Sequence, residues 1–150
     1  MHLRTRKEMS LVPAHWELAH KIVELRDTYS PSTLVLGNGD VKTLAEAQQK
    51  AQETGLDGIM LGRAIFGNPW VFTGKTESDT TSKERVEALL TLAQYFDELR
   101  PRKSLHILKK HFKAFIQGWP HASELRARLM DVTTEEELEV CLREALTLLG

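Results

Sequence analysis

Two short apolar runs in the first half of the chain each end abruptly in glycine and a hydrogen-bonding side chain. The first run is followed by Gly37-Asn38-Gly39-Asp40, and the second by Gly62 and Arg63. Glycine at such a place lets backbone N–H groups approach an anion closely, and an arginine can fork onto phosphate oxygens. The two endings together predict a phosphate-binding site.

The pattern around these endings predicts a β-α-β unit. Thr33–Leu36 and Gly58–Leu61 have the composition of buried parallel strands, and residues 41–54 have the composition of a helix. Asp40 can cap the start of that helix, and Gly55 suits its end. In parallel α/β proteins and (β/α)8 barrels, ligands bind at the carboxyl ends of the strands. The last two strands of a barrel usually carry the phosphate site. We therefore expect the glycines at the ends of both predicted strands to lie at a phosphate-binding site.

The first half of the chain is too small to form such a fold alone. A closed (β/α)8 barrel takes about 250 residues, and the sequence predicts only two strands before residue 73. Two parallel strands cannot bury their own faces. We therefore expect this half to belong to a longer protein or to an assembly.

The second half predicts helices only. They are Lys83–Leu99, Ser104–Gln117, Ala122–Met130 and a last helix that begins near Thr133 or Thr134. The polar stretch before them lacks periodicity and predicts a surface linker. The predicted organisation is an α/β part at 1–73, a linker at 74–82 and a helical domain at 83–150.

Composition and charge exclude several classes of protein. The formal net charge of -1 gives no global attraction to nucleic acid, so any such attraction is local. The single cysteine, Cys141, can form neither an internal disulfide nor a metal cluster, which fits a reducing cytoplasm. We predict that it is a small buried side chain. No run approaches the roughly 18 apolar residues of a membrane span. We therefore expect a cytoplasmic protein that binds no metal and no membrane.

A local excess of positive charge lies between residues 100 and 130. Eight basic residues stand there against one acid, Glu124. The basic residues are Arg100, Arg102, Lys103, Lys109, Lys110, Lys113, Arg126 and Arg128. Such a surface suits the phosphate backbone of RNA, although a solvated face without a partner has the same composition.

Several motifs, taken in order and spacing, resemble those of the tRNA-dihydrouridine synthases. In the first half they are His2-Leu3-Arg4-Thr5-Arg6, Gly37-Asn38-Gly39-Asp40, Asp57-Gly58-Ile59-Met60-Leu61-Gly62-Arg63 and Gly67-Asn68-Pro69-Trp70-Val71-Phe72. In the second half they are Lys109-Lys110-His111-Phe112, Gly118-Trp119-Pro120 and Ser123-Glu124-Leu125-Arg126. Each motif alone is weak, whereas together they cover nearly the whole chain.

The resemblance implies an FMN-dependent (β/α)8 TIM barrel followed by an all-α helical-bundle domain. Members of the family reduce a uridine of tRNA to 5,6-dihydrouridine with electrons from NADPH or NADH. On this resemblance the chain starts at the end of the sixth barrel strand, continues through strands seven and eight, and contains the helical domain. The implied cofactor-binding residues are His2 beside the flavin and Asn38, Gly39, Asp40, Gly62 and Arg63 at the FMN phosphate. The implied RNA-binding residues are the eight basic residues.

The resemblance also implies that catalysis needs residues outside this sequence. The family's cysteine acid and a lysine near the flavin lie on earlier strands, and Cys141 is in the wrong domain to replace the acid. We therefore expect no catalytic residue in this chain and no turnover by it alone. Two alternatives stay open, namely a non-catalytic RNA-binding helical module with a vestigial barrel fragment, and part of another FMN-dependent barrel oxidoreductase. The basic helical tail argues against another barrel oxidoreductase, because an enzyme that acts on a small molecule has little use for such a tail.

Overall fold

The structure is a computed structural model that describes residues 1–8, 11–99 and 103–150. It is a mixed α/β protein, mostly helical with a small parallel sheet. The chain divides into two compact units, one formed by Met1–Ile65 with Trp70–Gly74 and the other by Phe66–Pro69 with Lys75–Gly150. None of the helices in the described part of the chain is long and apolar enough to cross a membrane.

The first unit contains the predicted β-α-β arrangement. A short 3-10 turn leads into helix α1, and strand β1, helix α2 and strand β2 follow. Their bounds are Ala19–Tyr29 for α1, Leu36–Asn38 for β1, Leu44–Thr54 for α2 and Gly58–Met60 for β2. The strands are parallel, with Leu36 opposite Gly58 and Asn38 opposite Met60. The β-α-β prediction is confirmed, although β1 begins three residues later than the predicted Thr33.

The N-terminal segment of the protein pairs with β1 as a third extended segment of this sheet. His2 forms a parallel bridge with Asn38, and the N–H of Leu3 donates to the Asn38 carbonyl at 2.9 Å. The carbonyl of Val35, three residues before Asn38, accepts instead from the N–H of Asp57 at 3.1 Å. Because neighbouring carbonyls of a strand point to opposite edges, β1 lies between the N-terminal segment and β2.

Helix α2 begins later than the sequence predicts, and Asp40 does not cap it. Thr43 is the N-cap, and its side chain accepts from the Glu46 N–H at 3.1 Å. Asp40 instead adopts a left-handed backbone, with φ of 57°, and its carboxylate bonds to residues distant in sequence. The predicted C-terminal role of Gly55 is confirmed, because its φ of 72° is the left-handed conformation that ends the helix.

The two faces of the sheet differ in burial. Gly37 lies on the covered face, where a Cβ would be 2.7 Å from Leu56 Cδ1. On the other face Leu34, Leu36 and Met60 are 77%, 44% and 52% exposed. An apolar face of this sheet is therefore uncovered within the described chain, as expected where two strands cannot bury both sides.

The second unit consists of the four predicted helices and short connections. Their bounds are Ser82–Leu99 for α3, His106–Phe115 for α4, Ala122–Asp131 for α5 and Glu135–Leu149 for α6. The prediction of four helices is confirmed, with ends that differ by at most two residues. The predicted start of α6 near Thr133 or Thr134 is confirmed, and Thr134 and Glu137 form a reciprocal capping box there. The polar stretch at 74–82 contains a 3-10 turn, Glu77–Asp79.

The helices of the second unit enclose one apolar core. Its most deeply buried members are Val86, Leu89, Leu108, Phe112, Ile116, Leu129, Leu138 and Leu142. Leu105, Phe112 and Ile116 of the basic stretch are 5%, 1% and 0% exposed and belong to this core. Cys141 is 6% exposed in the same core, so its predicted role as a small buried side chain is confirmed as well.

Gly67 lies directly against the end of α4. Its φ is 78°, and a Cβ built on it would be 2.0 Å from the carbonyl oxygen of Ala114. Beside it the ring of Phe66 meets the imidazole of His111 edge-on, with centroids 5.2 Å apart. Because the close neighbour is backbone, no side-chain rotation can make room for a larger residue.

We expect Gly67→Ala to lower the free energy of unfolding by about 3 kcal/mol, because it adds backbone strain and a steric clash. Gly118→Ala is the matched control, since Gly118 has a φ of 88° and its Cβ would come no nearer than 4.0 Å to any atom of the described residues. The control variant should lose only about 1 kcal/mol. Urea denaturation measures both losses. Equal values would contradict the close packing of Gly67 on Ala114.

Candidate functional site

Three charged side chains meet beyond the carboxyl end of β1. Arg4 donates from Nη1 and Nη2 to Oδ2 and Oδ1 of Asp40, at 2.9 and 2.7 Å. Arg63 donates from Nη2 to Oδ1 at 3.1 Å, and the Ala14 N–H donates to Oδ2 at 3.0 Å. Each oxygen of the Asp40 carboxylate thus accepts two hydrogen bonds.

The backbone of this loop is held in an unusual conformation. Asp40 has a φ of 57°, a backbone conformation that residues other than glycine seldom adopt. Next to it, the Gly39 carbonyl accepts from Trp16 Nε1 at 3.1 Å, and a Cβ at Gly39 would be 2.5 Å from the Cβ of Ala14. The loop therefore packs tightly on the N-terminal segment, and the bonds of Asp40 fix its conformation.

The two arginines of the cluster differ sharply in exposure. The Arg4 side chain is 6% exposed, and its Nη1 also donates to the Val12 carbonyl at 2.9 Å. The Arg63 side chain is 65% exposed. Partial desolvation raises the pKa of Asp40, but the Ala14 N–H, Arg4 and Arg63 outweigh it and hold that pKa below its ordinary value. Asp40 is therefore ionised, and the cluster carries one net positive charge.

Gly62 lies two residues after β2 and directly precedes Arg63, whose side chain is exposed. A Cβ built on Gly62 would meet no atom within 4 Å among the described residues. The open backbone at Gly62, the exposed Arg63 and the net positive charge fit a phosphate group. The Asp40 carboxylate fits a different role, because its oxygens are already bonded and carry the same sign of charge as a phosphate. Asp40 is suited to holding Arg63 in place.

His2 and Asn38, the remaining predicted site residues, lie at the same carboxyl end of the sheet. His2 is exposed, and its Nδ1 accepts from the Arg4 N–H at 3.1 Å. Asn38 is half-buried and pairs through its backbone with the N-terminal segment and with β2. The structure thus brings the six sequence-predicted residues to one edge. Arg4 belongs to one of the sequence motifs, but no pattern in the sequence predicted its part in the site.

The segment that carries Ala14 is tied down by a histidine between two acids. His15 Nε2 lies 3.0 Å from Glu8 Oε1, and its Nδ1 lies 3.0 Å from Glu17 Oε1. Hydrogen bonds to Glu8 and Glu17 raise the pKa of His15 above its ordinary 6.5. Bonds from Thr5 and then from His15 lower the pKa of Glu8 from 4.5 to about 2.

These pKa shifts predict a pH dependence of stability. The contribution of His15 to the free energy of unfolding is complete below pH 6.5 and is lost as the pH rises through its raised folded-state pKa. The contribution of Glu8 is lost in the opposite direction, as the pH falls from 4.5 towards about 2. We expect His15→Gln to flatten the fall of the thermal midpoint above neutral pH. His20→Gln, at an exposed position of α1, is the control. A parallel pH profile for His15→Gln and the unmodified chain would show that the histidine does not hold this segment.

The second unit carries the basic residues predicted to contact RNA, and the structure divides them into two groups. Arg100 and Arg102 lie outside the described residues. Lys109 Nζ donates to the Met130 carbonyl at 2.5 Å, and Arg126 Nη1 donates to the Ile116 carbonyl at 2.7 Å. Arg128 pairs with Glu144 at 2.5 Å. These three side chains bond to other helices or their ends, so each has a structural role.

The remaining basic residues, Lys103, Lys110 and Lys113, are exposed. Lys110 and Lys113 are one turn apart on α4, on the face opposite the buried Leu108 and Phe112. This solvent face of α4 is the best-defined candidate for contact with a phosphate backbone. Trp119, whose role the sequence left open, packs against the apolar core with the Arg85 guanidinium 5.5 Å from its ring centroid.

The first unit thus has an α/β structure with a candidate anion site at the carboxyl ends of parallel strands, and the second is a helical unit with exposed lysines on α4. Comparison with known proteins is more specific. Residues 1–149 match the family described as dihydrouridine synthase (Dus), and the chain belongs to that family. The resemblance inferred from the motifs is confirmed.

Three relatives illustrate the relationship. The chain is 42% identical over 149 residues to a probable tRNA-dihydrouridine synthase of Staphylococcus aureus, a match that covers 96% of this chain and 44% of the relative. It is 40% identical over 147 residues to the probable tRNA-dihydrouridine synthase 2 of Bacillus subtilis, with coverage of 95% and 44%. A Staphylococcus epidermidis relative of the same description is 41% identical over 139 residues, with coverage of 91% and 42%. The chain therefore spans less than half the length of these relatives.

Proposed function

We propose that this chain is the C-terminal part of a tRNA-dihydrouridine synthase, an enzyme that reduces a uridine of tRNA to 5,6-dihydrouridine. Family membership and the printed descriptions of the relatives support this activity. In this proposal the N-terminal segment, β1 and β2 are strands six to eight of a (β/α)8 barrel. The uncovered apolar face of the sheet supports a larger fold, because earlier strands and their side chains would bury it.

The cofactor in this proposal is FMN, with NADPH or NADH as the electron donor. Bound flavin supplies the transfer of two electrons to the uracil ring. Gly62 and Arg63 would hold its phosphate, with the backbone of Asn38 and Gly39 nearby and His2 beside the flavin. The observation that carries this assignment is the exposed Arg63, anchored by Asp40 next to the open backbone of Gly62.

The proton donor of the reaction lies elsewhere in this proposal. Cys141 is buried in the helical core, and desolvation raises the pKa of its thiol. A buried neutral thiol among apolar side chains cannot meet a uracil ring. We infer that the acid comes from a part of the enzyme outside this sequence, and that this chain does not turn over alone.

The helical unit binds tRNA in this proposal, through the exposed Lys103, Lys110 and Lys113. Structured RNA is recognised largely through its shape and its phosphates, and lysine side chains on a helix face suit that contact. A second candidate is an RNA-binding module without catalysis. The continuous apolar core of the helical unit favours it, because the four helices bury their own faces.

Flavin fluorescence tests the phosphate site in this chain. We expect FMN to bind at least about tenfold more tightly than riboflavin, because the two differ only by the phosphate that Gly62 and Arg63 contact. Inorganic phosphate should compete with FMN and leave riboflavin binding unchanged. Equal affinities for the two flavins would remove the phosphate site and leave the RNA-binding module as the better reading of this chain.

A further inference from the structure

We propose that Arg4 is a positioning residue for the phosphate site, because it neutralises Asp40 from inside the protein and lets Arg63 keep its charge for the ligand. This inference rests on the proposed FMN site and adds to it a residue that does not touch the cofactor. It assigns separate roles to the two arginines that share one carboxylate.

The geometry separates the two roles. Arg4 makes a two-pronged contact with both oxygens of Asp40, at 2.7 and 2.9 Å, and is 6% exposed. Arg63 donates to Asp40 Oδ1 from Nη2 at 3.1 Å, and its side chain is 65% exposed. Asp40 is thus primarily the partner of the buried arginine, and the exposed arginine is held by one edge of the same carboxylate.

Electrostatics explains why a phosphate site would need this arrangement. With Arg4 present the cluster carries two positive charges and one negative charge. Without Arg4, the Asp40 carboxylate and Arg63 would form a neutral pair, and the carboxylate would repel a phosphate dianion a few ångströms away. Arg4 removes that repulsion from a buried position where it cannot itself bind the ligand.

A purely structural role is the competing explanation. Arg4 also donates to the Val12 carbonyl at 2.9 Å, and Asp40 accepts from the Ala14 N–H at 3.0 Å. These bonds hold the N-terminal segment against the loop whose Asp40 has a φ of 57°. Loss of such bonds would loosen the whole loop and weaken every ligand of the site alike, whereas loss of charge compensation would weaken only the phosphate contact.

The experiment measures the affinities of this chain for FMN and for riboflavin by flavin fluorescence. We expect Arg4→Met to lower the affinity for FMN by about tenfold and that for riboflavin by less than about twofold. Arg4→Lys keeps the charge and should retain the FMN preference to within about threefold. The double variant Arg4→Met with Asp40→Asn removes the charge and its partner together, and asparagine tolerates the left-handed backbone. It should also recover the preference to within about threefold, and it keeps the test available if the single variant does not fold, because asparagine removes the carboxylate that Arg4 no longer neutralises.

The outcomes separate this inference from the proposed function. Equal losses for both flavins in Arg4→Met, or a double variant without FMN preference, would show a structural role and overturn the inference alone. An unmodified chain that binds both flavins equally would overturn the phosphate site itself and the inference with it. A selective loss of FMN in Arg4→Met, restored in the double variant, supports charge compensation by Arg4.

Discussion

We expect Arg63→Ala to weaken the binding of FMN to this chain by about 2 kcal/mol or more and to leave riboflavin unchanged. The reason is that Arg63 carries the exposed charge of the cluster, with 65% of its side chain accessible, whereas Arg4 is buried behind Asp40. The alanine variant also leaves Asp40 bonded to Arg4 and Ala14, so the loop should keep its conformation. Fluorescence titrations with the two flavins measure the effect.

Two further variants sharpen this prediction. Arg63→Lys keeps one positive charge but loses the planar fork, and it should show an intermediate loss. Lys21→Ala, at an exposed position of α1, removes the same charge elsewhere in the first unit and should change neither affinity. An Arg63→Ala variant that retains FMN as tightly as the unmodified chain would exclude Arg63 from the site.

The second large effect is expected for tRNA. The double variant Lys110→Glu with Lys113→Glu should lower the affinity for tRNA by at least about tenfold and reduce the slope of log affinity against log salt by about 2. Both side chains are exposed on α4, opposite its buried face, so their replacement leaves the core intact. Filter binding or fluorescence anisotropy at several salt concentrations measures affinity and slope together.

The control must carry the same change of charge. Lys21→Glu with Lys42→Glu alters two exposed lysines of the first unit and should leave the salt slope nearly unchanged. Lys109 is unsuitable for the test, because its Nζ bonds to the Met130 carbonyl and its loss would also affect stability. Identical slopes for the Lys110 and Lys113 variant and the control would show that tRNA binds another surface.

Local patterns in the sequence predicted the elements of both units. The apolar runs and glycines indicated β-α-β, and apolar periodicity indicated four helices. Thr134 capped α6 as expected, because a capping box depends only on residues three positions apart. The limits of β1 were less predictable, because the extent of a strand depends on its partner, and pairing begins where Leu36 faces Gly58.

The parts of the site that the sequence did not predict depend on contacts between distant residues. Asp40 was expected to cap α2, but Arg4, which lies 36 residues away in sequence, takes up its carboxylate. The basic stretch could not be divided from composition, because the structural roles of Lys109 and Arg128 depend on Met130 and Glu144. A pattern of residue types does not contain these partners.

In the proposed function, this chain supplies the cofactor-phosphate and tRNA contacts of a dihydrouridine-forming enzyme. The most direct test replaces the matching 44% of the Staphylococcus aureus relative with this chain. The purified chimaera is given FMN, NADPH and unmodified tRNA, and dihydrouridine is quantified by mass spectrometry of the digested nucleosides. We expect the chimaera to form dihydrouridine, and we expect this activity to fall sharply when the chimaera carries Arg63→Ala. A chimaera that retains flavin and binds tRNA but forms no dihydrouridine, while the unaltered relative does, would overturn the proposed function.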